Sequence, residues 1–346
     1  MRLPAIPDLD AEAAAAARAR QQTLTKPPGS LGRLEELSIQ LAAMTGNPRP
    51  SAARKAIIIM AADHGVAAEG VSAYPSEVTP QMVLNFVRGG AAINVLARQA
   101  GTRVVVVDIG VAADFDPSTP IHHRKIARGT QNMGHGPAMT HEQAEAAINV
   151  GIEIVNAEVA KGLDLIATGD IGIGNTTASS AIVAALTEEP VAKVTGRGTG
   201  VDDAGLARKI ATIKRALAVN QPNANDPLDV LSKVGGLEIA GLVGVIMGGA
   251  AKRVPVVIDG FISGAAALLA ARLGPRVKPY LIAAHQSVEI GHRVILDQLG
   301  LRPLLDLDLR LGEGTGAALA FHLLEAAARL LDEMATFVEA GVSDKD

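Results

Sequence analysis

The chain contains no cysteine and no tryptophan, and aromatic residues make up only 2% of its 346 positions. Without cysteine there can be no disulfide, thiolate metal site or cysteine nucleophile, a composition that fits a reducing cytosol. With so few rings, a flat ligand has to be gripped by aliphatic side chains and backbone rather than by an aromatic cage. Positive charge is not in excess either: 32 Lys and Arg stand against 36 Asp and Glu, a formal net charge of −4. The basic residues are scattered, so the footprint of a nucleic-acid or anionic-membrane binder is missing. No apolar run reaches the roughly 18 residues of a spanning helix; the stretch Ala13–Ala17 is short and is followed by Arg18 and Arg20. Met1–Asp10 lacks the basic start and apolar core of a secretory signal. The expectation is a soluble, cytoplasmic protein that handles small molecules and has no nucleic-acid or membrane partner.

What is present is a set of short β-rich runs. Ala56–Ala61, Arg103–Ile109, Leu163–Thr168, Val254–Ile258, Pro279–Ala283 and Pro303–Leu307 are mostly continuous in Ile, Val or Leu, as strands buried on both faces of a parallel sheet are. Helix-period segments separate them, which predicts a doubly wound α/β fold around a mainly parallel six-stranded sheet. The chain ends read differently. Asp10–Gln21 is an alanine-rich helix, Ser30 can cap a second helix bearing Leu34, Leu37, Leu41 and Met44, and Leu323, Ala327, Leu330, Met334 and Phe337 repeat at helical spacing near the C-terminus. These ends are expected to pack together as a small helical subdomain. The division is 1–50 for its first helices, 51–310 for the α/β substrate-binding domain, and 311–346 for an active-site turn and the returning helix.

Polar and glycine-rich segments gather where the strands stop. Gly169-Asp170-Ile171-Gly172-Ile173-Gly174-Asn175-Thr176-Thr177 follows the third strand and opens a helix. Alternate glycines expose successive N–H groups and a helix N-terminus favours an anion, so this is a candidate phosphate cradle. It is neither G-x-G-x-x-G nor a Walker loop, and a tight turn with Asn175 as helix cap is the plainer alternative. A second loop, Gly196–Gly200, is followed by Lys209; either Arg197 or Lys209 could supply the missing cation. Ser287, after the fifth strand, lacks the pattern of a nucleophile elbow but can donate to a phosphate or ribose oxygen. Asp63-His64-Gly65 resembles a metal or acid/base corner, yet His64 has no second histidine at ligand spacing and His122-His123 lies in a polar, solvated loop, so no metal site is expected. Finally, Leu311-Gly312-Glu313-Gly314 sets a carboxylate between two glycines just ahead of a helix, where a substrate can come close.

Taken in order, Lys26-Pro27-Pro28-Gly29-Ser30-Leu31-Gly32-Arg33-Leu34-Glu35, Ala62-Asp63-His64-Gly65-Val66, Val71–Pro75, Gly172–Thr177, Gly196–Gly200 and Gly312–Gly316 resemble the nicotinate-nucleotide–dimethylbenzimidazole phosphoribosyltransferase family over nearly the whole chain. The resemblance implies a homodimer, no cofactor and no metal, with nicotinate mononucleotide and a benzimidazole-type base as substrates. It places Glu313 at the catalytic base. Gly172, Gly174, Asn175, Thr176 and Thr177 fall at the phosphate, with Lys209 and Ser287 helping, and Gln81, Ile171 and Leu311 fall against the benzimidazole. Asp170 stands where the family pattern has Glu, a carboxylate of shorter reach. Two rivals remain to be weighed: a nicotinamide-dependent dehydrogenase, whose fingerprint after the first strand is missing, and a non-catalytic nucleotide or azole sensor on the same fold. Sequence leaves open whether burial or a helix N-terminus dominates the Glu313 pKa.

Overall fold

A computed structural model describes residues 3–343. Its centre is a six-stranded, all-parallel sheet. Strand β1 (Lys55–Ala62) pairs with β2 (Thr102–Gly110) on one side and β4 (Leu165–Ile171) on the other. The two-residue β3 (His122–His123) extends the sheet beyond β2, while β5 (Val256–Ile258) and β6 (Leu281–Ala283) extend it beyond β4, giving the order β3-β2-β1-β4-β5-β6. All eight residues of β1 are buried, which is why its Ile-rich run carries no alternation. The order reverses between β1 and β4, and in doubly wound sheets the crevice at such a reversal is where ligands sit.

The count of six strands is right, but one member differs. Leu305–Asp306 (β8) pairs in parallel with His285–Gln286 (β7) in a separate two-stranded sheet. The chain after β6 bends at Ala284, so the Pro303–Leu307 segment meets the continuation of that strand instead of the main sheet; Leu304 N–H still reaches the Ala283 carbonyl at 3.1 Å. The sixth place is taken by the His122-His123 segment, which sequence reads as a loop because two residues carry no periodicity.

The helices in chain order are α1 (Ala11–Thr23), α2 (Arg33–Thr45), α3 (Val78–Arg88), α4 (Ala92–Gln99), α5 (His141–Ala160), α6 (Asn175–Thr187), α7 (Val191–Val194), α8 (Asp203–Asn220), α9 (Pro227–Val234), α10 (Leu237–Ala251), α11 (Phe261–Leu273), α12 (Ile290–Leu299), α13 (Thr315–Glu333) and α14 (Phe337–Ala340). Helix α10 is apolar almost all round, and only Ala251 of its residues is not fully buried. It crosses α5 at backbone contact: a Cβ on Gly151 would lie 2.0 Å from the Gly241 carbonyl oxygen, and one on Gly244 would lie 1.9 Å from that of Ile148. Small residues let the two helices meet without intervening side chains.

Helices α1, α2 and the second half of α13 pack together. Asp10 caps α1 through the Ala13 N–H, and Arg20 ties α1 to the carbonyls of Leu331 and Met334. The cap of α2 is Gly32 rather than Ser30. The reason is Glu35, whose carboxylate accepts from the Gly29 and Leu31 N–H groups and pairs with Lys26 at 2.8 Å; the Lys26–Glu35 segment closes on itself. The C-terminal stripe is displaced as well. Leu324, Ala327, Ala328 and Leu331 are the buried set, whereas Leu323, Leu330, Met334 and Phe337 are half-exposed, because α13 turns a face one residue further round toward α2.

If the α5–α10 contact is as close as this, Gly244→Ala must push the helices apart and should cost about 3 kcal/mol, the upper end of overpacking penalties. Gly136→Ala, where the added Cβ meets nothing within 4 Å, should stay within about 0.5 kcal/mol. Chemical denaturation of the two variants checks the contrast.

Candidate active site

At the carboxyl end of β4 the chain turns through Gly172 and Gly174 into α6. Gly174 is the helix cap, with φ +100°, and no side chain bonds the first-turn N–H groups; those of Asn175 and Thr177 close onto the Gly172 and Gly174 carbonyls at 3.1 and 2.9 Å, while the positive end of the helix still faces the cleft. Asn175 is not the cap; its amide donates to Asp170 Oδ2 at 3.0 Å. Thr176 lines the cleft, but Thr177 is fully buried and its hydroxyl has no partner. Consecutive helical residues point about 100° apart, so only one of the two threonines can face the ligand.

Of the two candidate cations, Lys209 faces this turn and Arg197 does not. Lys209 is wholly buried on α8, and its ammonium donates to Thr176 Oγ1 at 2.7 Å and to the Gly196 carbonyl at 3.3 Å. Burial lowers its pKa to about 8 despite the nearby Glu289 carboxylate. Arg197 turns outward, to the Val201 carbonyl and the Asp203 carboxylate. The loop between them is bare by necessity: a Cβ on Gly198 would lie 2.6 Å from Thr176 Oγ1 and 2.9 Å from the Lys209 ammonium. Glu289, buried, holds the loop by accepting from the Gly198 N–H at 2.9 Å. Arg310 faces the same space, reaching the Gly198 carbonyl at 3.5 Å.

Across the cleft stands the Leu311–Gly314 turn. Leu311 and Gly312 line the opening with Asp170, Ile171, Ser287 and Tyr74. Glu313 lies one residue behind that wall, buried, at φ +62°. Its carboxylate accepts from the Ile93 N–H at 3.2 Å, and so caps α4, whose own cap residue is Ala91. Burial raises the Glu313 pKa and the Ile93 N–H opposes that rise; of the two effects left open by the sequence, burial wins. The helix N-terminus that Glu313 meets belongs to α4, while α13 is capped from elsewhere. Asp259, fully buried at the end of β5, accepts from the Gly314 and Ala317 N–H groups at 3.2 and 3.0 Å. Burial pushes the Asp259 pKa up to about 7, against its backbone N–H bonds, with the Glu313 charge adding to the rise. Asp170 is driven well above the usual carboxylate range by burial and by the charges of Asp259, Glu238 and Glu313.

Most of the sequence-predicted residues therefore meet in one place: Asp170, Ile171, Gly172, Asn175, Thr176, Ser287 and Leu311 line the cleft, with Lys209 and Glu313 directly behind its walls. Gln81 does not join them. Helix α3 buries Thr79, Val83 and Phe86, and Gln81, two residues from Thr79 and two from Val83, is exposed on another side. The sequence assigned no site role to Asp259, Glu289, Arg310, His285 or Tyr74, which the structure places at or beside the cleft. Asp259 and His285 were visible only as polar ends of strands; Tyr74, one of two tyrosines in the chain, gave the best unused signal.

The cleft holds about 290 Å³, near the lower end of small-molecule sites, which suits a mononucleotide better than a dinucleotide. Fold and cleft together define an α/β protein with a small-molecule cleft beyond the carboxyl ends of a parallel sheet. A family model described as Phosphoribosyltransferase matches residues 6–342. The nicotinate-nucleotide–dimethylbenzimidazole phosphoribosyltransferase of Chloroflexus aggregans is 65% identical, over 97% of this chain and 96% of that protein. The enzyme of the same name from Geobacter sulfurreducens is 58% identical, over 98% and 96%. The crystal structure of CobT from Thermus thermophilus superposes with a TM-score of 0.92 at 52% identity, covering 96% of this chain and all of that one. The chain belongs to the nicotinate-nucleotide–dimethylbenzimidazole phosphoribosyltransferase family.

A buried ammonium with a pKa of about 8 loses its charge as pH rises through that value. Capture of a phosphorylated substrate, read as kcat/KM, should fall above about pH 8. Lys209→Met should lower it on the order of 10- to 100-fold at pH 7, the value of a charge-assisted hydrogen bond, and flatten that alkaline limb. Steady-state kinetics across pH would show both effects.

Proposed function

We infer that the protein transfers the phosphoribosyl group of nicotinate mononucleotide to dimethylbenzimidazole, releasing nicotinate and forming α-ribazole phosphate for the lower ligand of cobalamin. What supports the residue roles is one juxtaposition: the Gly172–Thr176 cradle with Lys209 behind it, facing the Leu311–Gly314 turn across a single cleft.

The phosphate rests on the α6 N-terminus, held by Lys209 and Thr176 with Ser287 at its side. It stays attached throughout and serves only as an anchor. The bond that breaks joins the ribose carbon to a pyridinium nitrogen; its electron pair neutralises that nitrogen, so nicotinate leaves without a general acid. A glycosidase usually needs a second carboxylate for this task. As the lone pair of one benzimidazole nitrogen bonds to the ribose carbon, the ring becomes cationic and its other N–H acidic. Glu313 takes that proton on one carboxylate oxygen while Ile93 holds the other. Attack from the face opposite nicotinate inverts the sugar carbon. Ile171 and Leu311 supply the apolar wall for the ring, in a chain with few aromatics to offer. A homodimer and a cytoplasmic location belong to the same reading; sedimentation would show a single 35.5 kDa chain or its double.

The base must be ionised, and its pKa is raised, so the acid limb of the rate profile should lie above the ordinary Glu range. Glu313→Gln should abolish that limb and cost roughly 10²–10⁴-fold in rate, with the mononucleotide dissociation constant unchanged. Asp170→Asn is the comparison. If it, rather than Glu313→Gln, removes the acid limb, the proton goes to Asp170.

A further inference from the structure

The reversal of strand order between β1 and β4 leaves a crevice, and a side chain fills it. His64, the second residue after β1, is buried, and its Nε2 lies 2.6 Å from Glu238 Oε1 in the first turn of α10. Its ring is packed between two glycine-bearing elements. A Cβ on Gly174 would come 3.2 Å from His64 Cβ, and one on Gly172 would come 3.5 Å from its Cδ2 and 2.3 Å from the Ala62 carbonyl. On the other side, a Cβ on Gly236 would lie 2.4 Å from His64 Cε1. Thus one ring touches both the phosphate turn and the start of α10.

An apolar side chain would fill this slot without the desolvation cost of two buried polar groups. Nothing in the transfer reaction uses His64 or Glu238 directly. We propose that His64 and Glu238 are positioning residues for the phosphate: their buried contact fixes the Gly172–Gly174 turn, and hence its N–H groups, against the sheet. The proposal rests on the reading that this turn holds the phosphate. Three further groups bear on the pair. Asp63 lies beside His64 at the end of β1, with one carboxylate oxygen bonded to the Ala112 N–H at 2.8 Å. Thr79 of α3 accepts from the Ile173 N–H at 3.1 Å and braces the same turn from above. Asp170, on β4, feels the Glu238 charge. Burial opposes a charge on His64, but Glu238 and then Asp63 hold its pKa above the usual histidine value.

The wild-type enzyme gives the first test. In nitrogen-resolved NMR spectra, the His64 ring resonances should shift on saturation with nicotinate mononucleotide but not with dimethylbenzimidazole. A ring indifferent to the mononucleotide overturns the proposal, and that result does not depend on a variant folding. Glu238→Gln and His64→Gln should then raise KM for the mononucleotide about 10-fold or more, since small misplacements of a positioning group are costly, and leave KM for the base within about twofold. The conservative Glu238→Asp should recover part of the loss. A rise in both KM values together, or in neither, counts against a positioning role. If Lys209→Met also leaves mononucleotide capture intact, the fault lies in the phosphate assignment itself; if only the His64 and Glu238 variants are silent, it lies here.

Discussion

The Asp259 carboxylate governs where the Leu311–Gly314 turn can stand. It leaves β5 at the sheet's edge of the cleft and accepts the first N–H groups of α13, so the turn is anchored by a residue more than fifty positions earlier. That anchor makes the rest possible. Gly314 lies so close to the sheet that a Cβ there would meet Ile57 at 2.7 Å, and a Cβ on Gly169 would meet the Glu313 carbonyl at 2.5 Å. Glu313 is thereby held in the left-handed region, a conformation that costs a non-glycine residue on the order of 1–3 kcal/mol. Strain of this kind persists only where surrounding contacts fix it, and Asp259 and the Ile93 N–H do so from opposite sides.

The electrostatics follow from the same crowding. Asp170, Asp259 and Glu313 share one poorly solvated region, and each is shifted toward its protonated form by burial. Lys209 is shifted the other way, toward neutrality, for the same reason. The region thus keeps neither sign of charge strongly solvated. On the proposed roles, a phosphate beside Lys209 would favour its ammonium form, and the positive charge that develops on the benzimidazole during bond formation would favour the Glu313 carboxylate.

Much of this was legible in the chain. Ile57, Ile58 and Ile59, or Val104 to Val107, announce buried parallel strands because nothing polar interrupts them, and the glycines at 172, 174, 312 and 314 mark backbone that must approach something closely. What was hidden depends on distance in space. Asp259 looks like any polar strand end until α13 is seen above it. Arg197 and Lys209 are equally basic in sequence, and only the helical position of Lys209 on α8 turns it inward. Thr176 and Thr177 differ by one step of helical rotation, and Gln81 by two from Thr79. A pair as short as His122-His123 becomes a strand solely because β2 lies beside it.

Helix α13 links the Leu311–Gly314 turn to the N-terminal helices. It begins at the active-site turn, runs past the sheet, and ends among α1 and α2, where Arg20 holds the carbonyls of Leu331 and Met334. A helix behaves as a nearly rigid rod over such a length, so a tilt at its far end is felt at Gly314. The N-terminal helices, though distant from the cleft in sequence, therefore help set the angle at which Glu313 meets α4. Their packing, including the Lys26–Glu35 clasp that shapes the entry to α2, belongs to the geometry of the site and not merely to the stability of the fold.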